Sequence, residues 1–173
     1  LRSHNLRVQA SPLFRSPIRC TLVFFAITAG LNSPRLEAAE TGQTQKVVNA
    51  ADAFLRTLDE PQRGKMSFDF NDAAQRIRWS NLPLSMAERR GLLMGELKPG
   101  QRDAVMKLLA TVLSPMGYEK VIGIVEGDEV LRKQSTGGSP RFGRDEYFIS
   151  FLGKPSATEP WMIQFGGHHL ALN

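Results

Sequence analysis

The sequence predicts an α+β fold in which N-terminal helices pack on a small antiparallel sheet formed mainly by the C-terminal third. Three observations carry this expectation. From Thr44 to Leu58, and again from Pro99 to Lys133, apolar residues recur at three- and four-residue steps, the spacing of one helix face. Beyond the cluster Ser135-Thr136-Gly137-Gly138-Ser139-Pro140 the period shortens to that of a strand. Helices first and strands afterwards, without alternation, is the order of α+β rather than of parallel βαβ units.

The first helix is predicted over Thr44 to Leu58, where Val47, Val48, Ala51, Phe54, Leu55 and Leu58 share one face. Asp59-Glu60-Pro61 then carries a cap residue and a first-turn proline, so a short helix should run to about Lys65. Met66 to Phe70 and Ala74 to Trp79 alternate around Asn71-Asp72 and read as a hairpin, with Arg76, Arg78 and Trp79 along one edge. Pro99 opens a helix with the stripe Val105, Leu108, Leu109, Val112 and Leu113, which Ser114-Pro115 breaks. The next helix should reach Lys133 using Val121, Ile122, Ile124, Val125, Val130 and Leu131, and pack antiparallel to its predecessor. The glycine-rich cluster from Ser135 to Pro140 is predicted to be an exposed, mobile loop. Tyr147 to Phe151 should be a half-buried strand, followed by two short strands at Trp161 to Phe165 and His169 to Leu172.

The 173 residues, 42% of them apolar, suit one globular domain. Of the net charge of +5, residues 1–39 hold +4, which leaves +1 for the rest. A nearly neutral body lacks the basic footprint of nucleic-acid binding, so no nucleic-acid partner is expected. Residues 1–39 are predicted to be a signal peptide or disordered leader. Arg15 and Arg19 precede the apolar run Thr21-Leu22-Val23-Phe24-Phe25-Ala26-Ile27, and small residues follow around Ala38 and Ala39. The run is about a dozen residues, short of the about 20 that span a bilayer, so no transmembrane anchor is expected after cleavage. A buried core helix is the competing interpretation of the same run. Cys20 is the only cysteine and lies ahead of the run. The mature chain would then hold no thiol, which suits a periplasmic or secreted location.

Side-chain chemistry gathers at His168-His169, since the only other histidine is His4. Imidazole serves as a general base or as a ligand for a divalent metal such as zinc. Neighbours on a strand face opposite ways, so both would meet one ion only if Gly166-Gly167 distorts the strand. One working histidine beside a structural one is the better expectation; two structural histidines completing a hydrogen-bond network is the bland one. Glu119 is a further catalytic candidate, and Glu119 or Asp145 a candidate partner for an imidazole. Trp161 and Tyr147, with Arg78, are candidate ligand-binding residues for a sugar ring or another flat small molecule, although core packing is the commoner use of such aromatics. Gly137-Gly138 lacks the Gly-Lys-Ser/Thr of a phosphate loop, and neither Ser114 nor Ser156 sits in a nucleophile elbow.

Three runs combine into a wider pattern: Leu113-Ser114-Pro115-Met116-Gly117-Tyr118-Glu119-Lys120, then Phe151-Leu152-Gly153-Lys154-Pro155-Ser156 with Trp161, then Gly167-His168-His169-Leu170-Ala171-Leu172-Asn173. With Arg90-Gly91-Leu92 and Gln101-Arg102, they closely resemble the bacterial family called domain of unknown function 3500, over roughly Val47 to Asn173. The resemblance implies an exported protein of unassigned activity, with residues 44–173 as the N-terminal part of a domain truncated at its C-terminus and a further histidine-bearing segment beyond. No catalytic residue is carried over by it. An exported enzyme, a metal-assisted hydrolase using His168 or His169, is the leading expectation. A non-catalytic carbohydrate- or envelope-binding module with Trp161 as its platform is the alternative.

Overall fold

A computed structural model describes residues 34–137 and 141–173. Most of the predicted leader lies outside the described residues, as do Gly138 to Pro140 of the predicted loop. The first helix, α1, spans Pro34–Arg56 and so begins within the last residues assigned to that leader. It buries Val48, Ala51 and Phe54. Asp59 caps α2 (Glu60–Met66) with a reciprocal pair: its Oδ1 accepts the Gln62 N–H at 2.9 Å and its own N–H donates to Gln62 Oε1 at 3.2 Å.

The predicted hairpin does not form. Only Ser67–Phe68, β1, is a strand, while Ala73–Arg76 is a short helix, α3. The cause is local: Asp69 Oδ1 accepts the Asn71 N–H at 2.7 Å, and Asp72 Oδ1 accepts the Gln75 N–H at 2.8 Å. Aspartates that satisfy nearby backbone donors favour turns and helix caps over strand ladders. A long irregular segment then leads to β2 (Leu92–Leu93), a 3-10 turn (Met94–Glu96) and α4 (Pro99–Val112). Val105, Leu108 and Leu109 are buried, whereas Val112 is exposed.

The α4 helix packs chiefly against α1 and only slightly against α5 (Pro115–Gln134), so the predicted pairing of α4 with α5 is not the main contact. Ser114 caps α5 by accepting the Gly117 N–H at 3.1 Å. Its buried face runs Val121, Val125, Asp128 and Glu129, and the expected Val130 and Leu131 point outward at 50% and 38% exposure. The 3.6-residue period carries the stripe from Val125 onto Asp128 and Glu129 and turns Val130 away.

The strands β3 (Phe148–Leu152), β4 (Met162–Gly167) and β5 (Leu170–Leu172) form an antiparallel meander. β2 pairs antiparallel with the start of β3, and β1 pairs parallel with its end, both along the edge away from β4. The sheet is therefore mixed, with its antiparallel part dominant. β3 is central and buried nearly throughout, not half-buried as expected. Phe54 of α1 meets Phe151 edge-on at 6.2 Å in the core between helices and sheet. A polar cluster joins α3 to the sheet, where Gln75 Nε2 donates to Gln164 Oε1 at 2.9 Å and Ser150 Oγ donates to the same oxygen at 3.3 Å. Among the described residues no helix is long and apolar enough to cross a membrane.

Candidate functional site

The two histidines occupy the turn between β4 and β5, because the flanking Gly167 and Leu170 are paired across the hairpin. They are thus not consecutive strand residues on opposite faces. His169 adopts a left-handed backbone, φ 59°, and its N–H donates to Asn81 O at 2.7 Å. Turning the chain here brings the two rings over each other, with centroids 3.8 Å apart and planes 35° from parallel. His168 is the inner ring, 11% exposed, with Phe142 at 5.1 Å. His169 is the outer, exposed ring.

His168 has a partner that neither Glu119 nor Asp145 provides. Its Nδ1 lies 2.6 Å from Asp128 Oδ1, a carboxylate only 2% exposed on the buried face of α5. The second oxygen, Oδ2, accepts the Gly143 N–H at 2.8 Å. Both carboxylate oxygens are thus used, and the imidazole plane is fixed with Nε2 left free of hydrogen bonds among the described residues. Glu119 is exposed near the start of α5, roughly 13 Å along the helix from Asp128 at 1.5 Å per residue. Asp145 forms an ion pair with Arg102 instead.

Tyr147 lies beneath this turn. It is fully buried, stacks on Phe165 at 5.8 Å, and donates its hydroxyl to His168 O at 3.0 Å. Burial pushes its phenol well above the usual range, and the charge on Asp128 adds to that shift. Gly167 is packed so closely on the ring that a Cβ there would come within 2.6 Å of it. From the other side Arg89, 9% exposed, donates through Nη2 to Gly167 O at 2.9 Å, Ser80 O at 2.7 Å and Leu82 O at 2.5 Å. It has no carboxylate partner among the described residues, and burial lowers its pKa. Next to Asp128, Glu129 takes a two-pronged contact from Arg132 at 2.7 to 3.0 Å. That hydrogen bonding, outweighing the burial that opposes it, holds the Glu129 carboxyl down at about 2.

The predicted ligand-binding residues are not brought together. Trp161 is half-buried, meets Phe151 edge-on at 5.7 Å and donates Nε1–H to Ser156 O at 3.0 Å. It also walls an apolar groove of about 570 Å³ with Val47, Leu109 and Leu172. Arg78 pairs with Glu88 at 3.1 Å and lines a separate recess beside Trp79. For a metal, His168 Nδ1 is taken by Asp128, which leaves Nε2 as that ring's open nitrogen. Among the described residues no group of three or more His, Cys, Asp or Glu side chains is placed to hold an ion. Sequence reasoning missed Asp128, although an acid at the 121, 125, 128 spacing of an apolar stripe is a sign of a buried, partnered carboxylate.

A protein-family model described as "Protein of unknown function (DUF3500)" matches residues 40–173. No curated protein and no solved structure matches the chain.

Proposed function

The chain belongs to the family of proteins of unknown function DUF3500, and from that premise we propose that it is a hydrolase of the exported class in which His168 transfers protons. The observation that carries this reading is the 2.6 Å contact between His168 Nδ1 and the buried Asp128. A carboxylate that fixes one ring nitrogen leaves the other poised to take a proton from water and return it to a leaving group. Tyr147 under the turn and Arg89 beside it hold the main chain of the turn in place. The basic, apolar and small order of residues 1–39 supports action outside the cytoplasm. The reading needs no metal, and the near-neutral charge from residue 40 onward speaks for small substrates over nucleic acid.

The test is a panel of chromogenic esters, phosphoesters and glycosides assayed with the unmodified chain and with His168→Gln. Turnover of one class, reduced about a hundredfold or more in the variant at unchanged circular dichroism, is the expected result. Turnover that survives His168→Gln, or none in any class, would overturn it. A second reading, a non-catalytic carbohydrate- or envelope-binding module, has the Trp161 groove in its favour. Saturable glycan binding that Trp161→Ala abolishes, without turnover, would select it.

A further inference from the structure

Away from the histidine turn, the apolar groove beside Trp161 is walled by side chains of α1, α4, β4 and β5, among them Val47, Leu109, Val112, Ile163 and Leu172. Most of these flank the core without being covered by it. Val47, Trp161, Ile163 and Leu172 are only partly buried, and Val112, the member of the α4 stripe that the helical period turns toward the groove, is 43% exposed. Apolar surface left open in one place marks a binding groove more often than it occurs by chance. The volume of about 570 Å³ falls within the range of about 300–1,000 Å³ typical of small-molecule sites.

A single charged side chain belongs to this groove. Arg76, the last residue of α3, lines it together with Phe70, and its guanidinium carbon sits over the Phe70 ring at 4.6 Å. Nη1 donates to Phe70 O at 3.0 Å, which leaves Nε and Nη2 without a hydrogen bond, and Arg76 without an ion pair, among the described residues. No aspartate or glutamate among the described residues lines the groove, so nothing in its walls offsets that cation. Trp161 spends its one polar atom on Ser156 O and offers the groove an apolar surface. Mostly aliphatic walls with one uncompensated cation match an aliphatic ligand with an anionic head, whereas the hydroxyls of a sugar would meet few polar partners here.

We propose that the groove binds a fatty acid, its chain laid against Val47, Leu109, Val112, Ile163 and Leu172 and its carboxylate held by Arg76. The unbonded Nε and Nη2 of one guanidinium pair with the two oxygens of a carboxylate, and each methylene moved out of water strengthens the binding. The assignment competes with the carbohydrate reading of the same groove and does not depend on proton transfer by His168.

Trp79→Phe leaves Trp161 as the only tryptophan of the full chain, so that its emission reads the groove. Decanoate, below its micelle concentration, should shift that emission saturably. Octanoate, two methylenes shorter, should bind about tenfold more weakly. Decanol, which has the same chain without the charge, should also bind about tenfold more weakly than decanoate. Arg76→Gln in the same background should bring decanoate down to the level of decanol, and Arg76→Lys should restore part of the difference. Decanol or octanoate matching decanoate, decanoate binding unchanged in a folded Arg76→Gln chain, or no saturable shift with any of the three would overturn the proposal. Where Arg76→Gln loses its circular dichroism, the comparison of decanoate with decanol on the Trp79→Phe chain decides alone.

Discussion

Asp128 shows how far a single residue can be read from sequence and where reading stops. The histidine pair is conspicuous in a chain with one other histidine. Its partner lies forty positions upstream, on a helix whose stripe looked apolar throughout, and only folding joins them. Arg89 was less legible still, because the segment that carries it has no periodicity to place a side chain inside or out. The carboxylate accepts from both His168 and Gly143, so Asp128→Ala strands two buried partners and should cost about 3 kcal/mol. Asp128→Asn keeps one acceptor oxygen and should cost about 1 kcal/mol. Urea denaturation monitored by circular dichroism checks the order, and equal losses for the two variants would contradict it.

At the scale of elements, helices were the legible part because their caps and stripes are local: Asp59, Pro99 and Ser114 each open one where expected. The failed hairpin has the same origin, since Asp69 and Asp72 satisfy backbone donors that a ladder would have needed. Strand positions in the last third were close, but which strand is central depends on pairing between distant segments, and β1 joining β3 in parallel has no local signal. The hairpin of β4 and β5 depends on Gly167 lying flat on Tyr147. Gly167→Ala places a methyl 2.6 Å from that ring and should lower stability by about 1–3 kcal/mol, seen as a lowered thermal midpoint. Gly64→Ala, where a Cβ meets nothing within 4 Å, should show no such loss.

Across the whole molecule, acid is the condition to which the fold should respond through Glu129. Its folded carboxyl titrates at about 2 against an ordinary 4.5, so its contribution is present above 4.5 and fades as pH falls toward 2. The thermal midpoint of the unmodified chain should exceed that of Glu129→Gln above 4.5, and the gap should close near 2. A gap constant across that window would show that the Arg132 contact contributes nothing. Redox conditions should matter little to this part of the chain, because its only cysteine, Cys20, lies outside the described residues.

The grip of Asp128 on the Gly143 amide has a practical corollary for anyone handling the protein. Upstream of that anchor, Ser135 to Gly137 stand open to solvent and carry no packed side chain. A fluorophore or affinity handle spliced after Thr136 would be insulated from the histidine turn by the anchor, which makes this connection the place for a reporter.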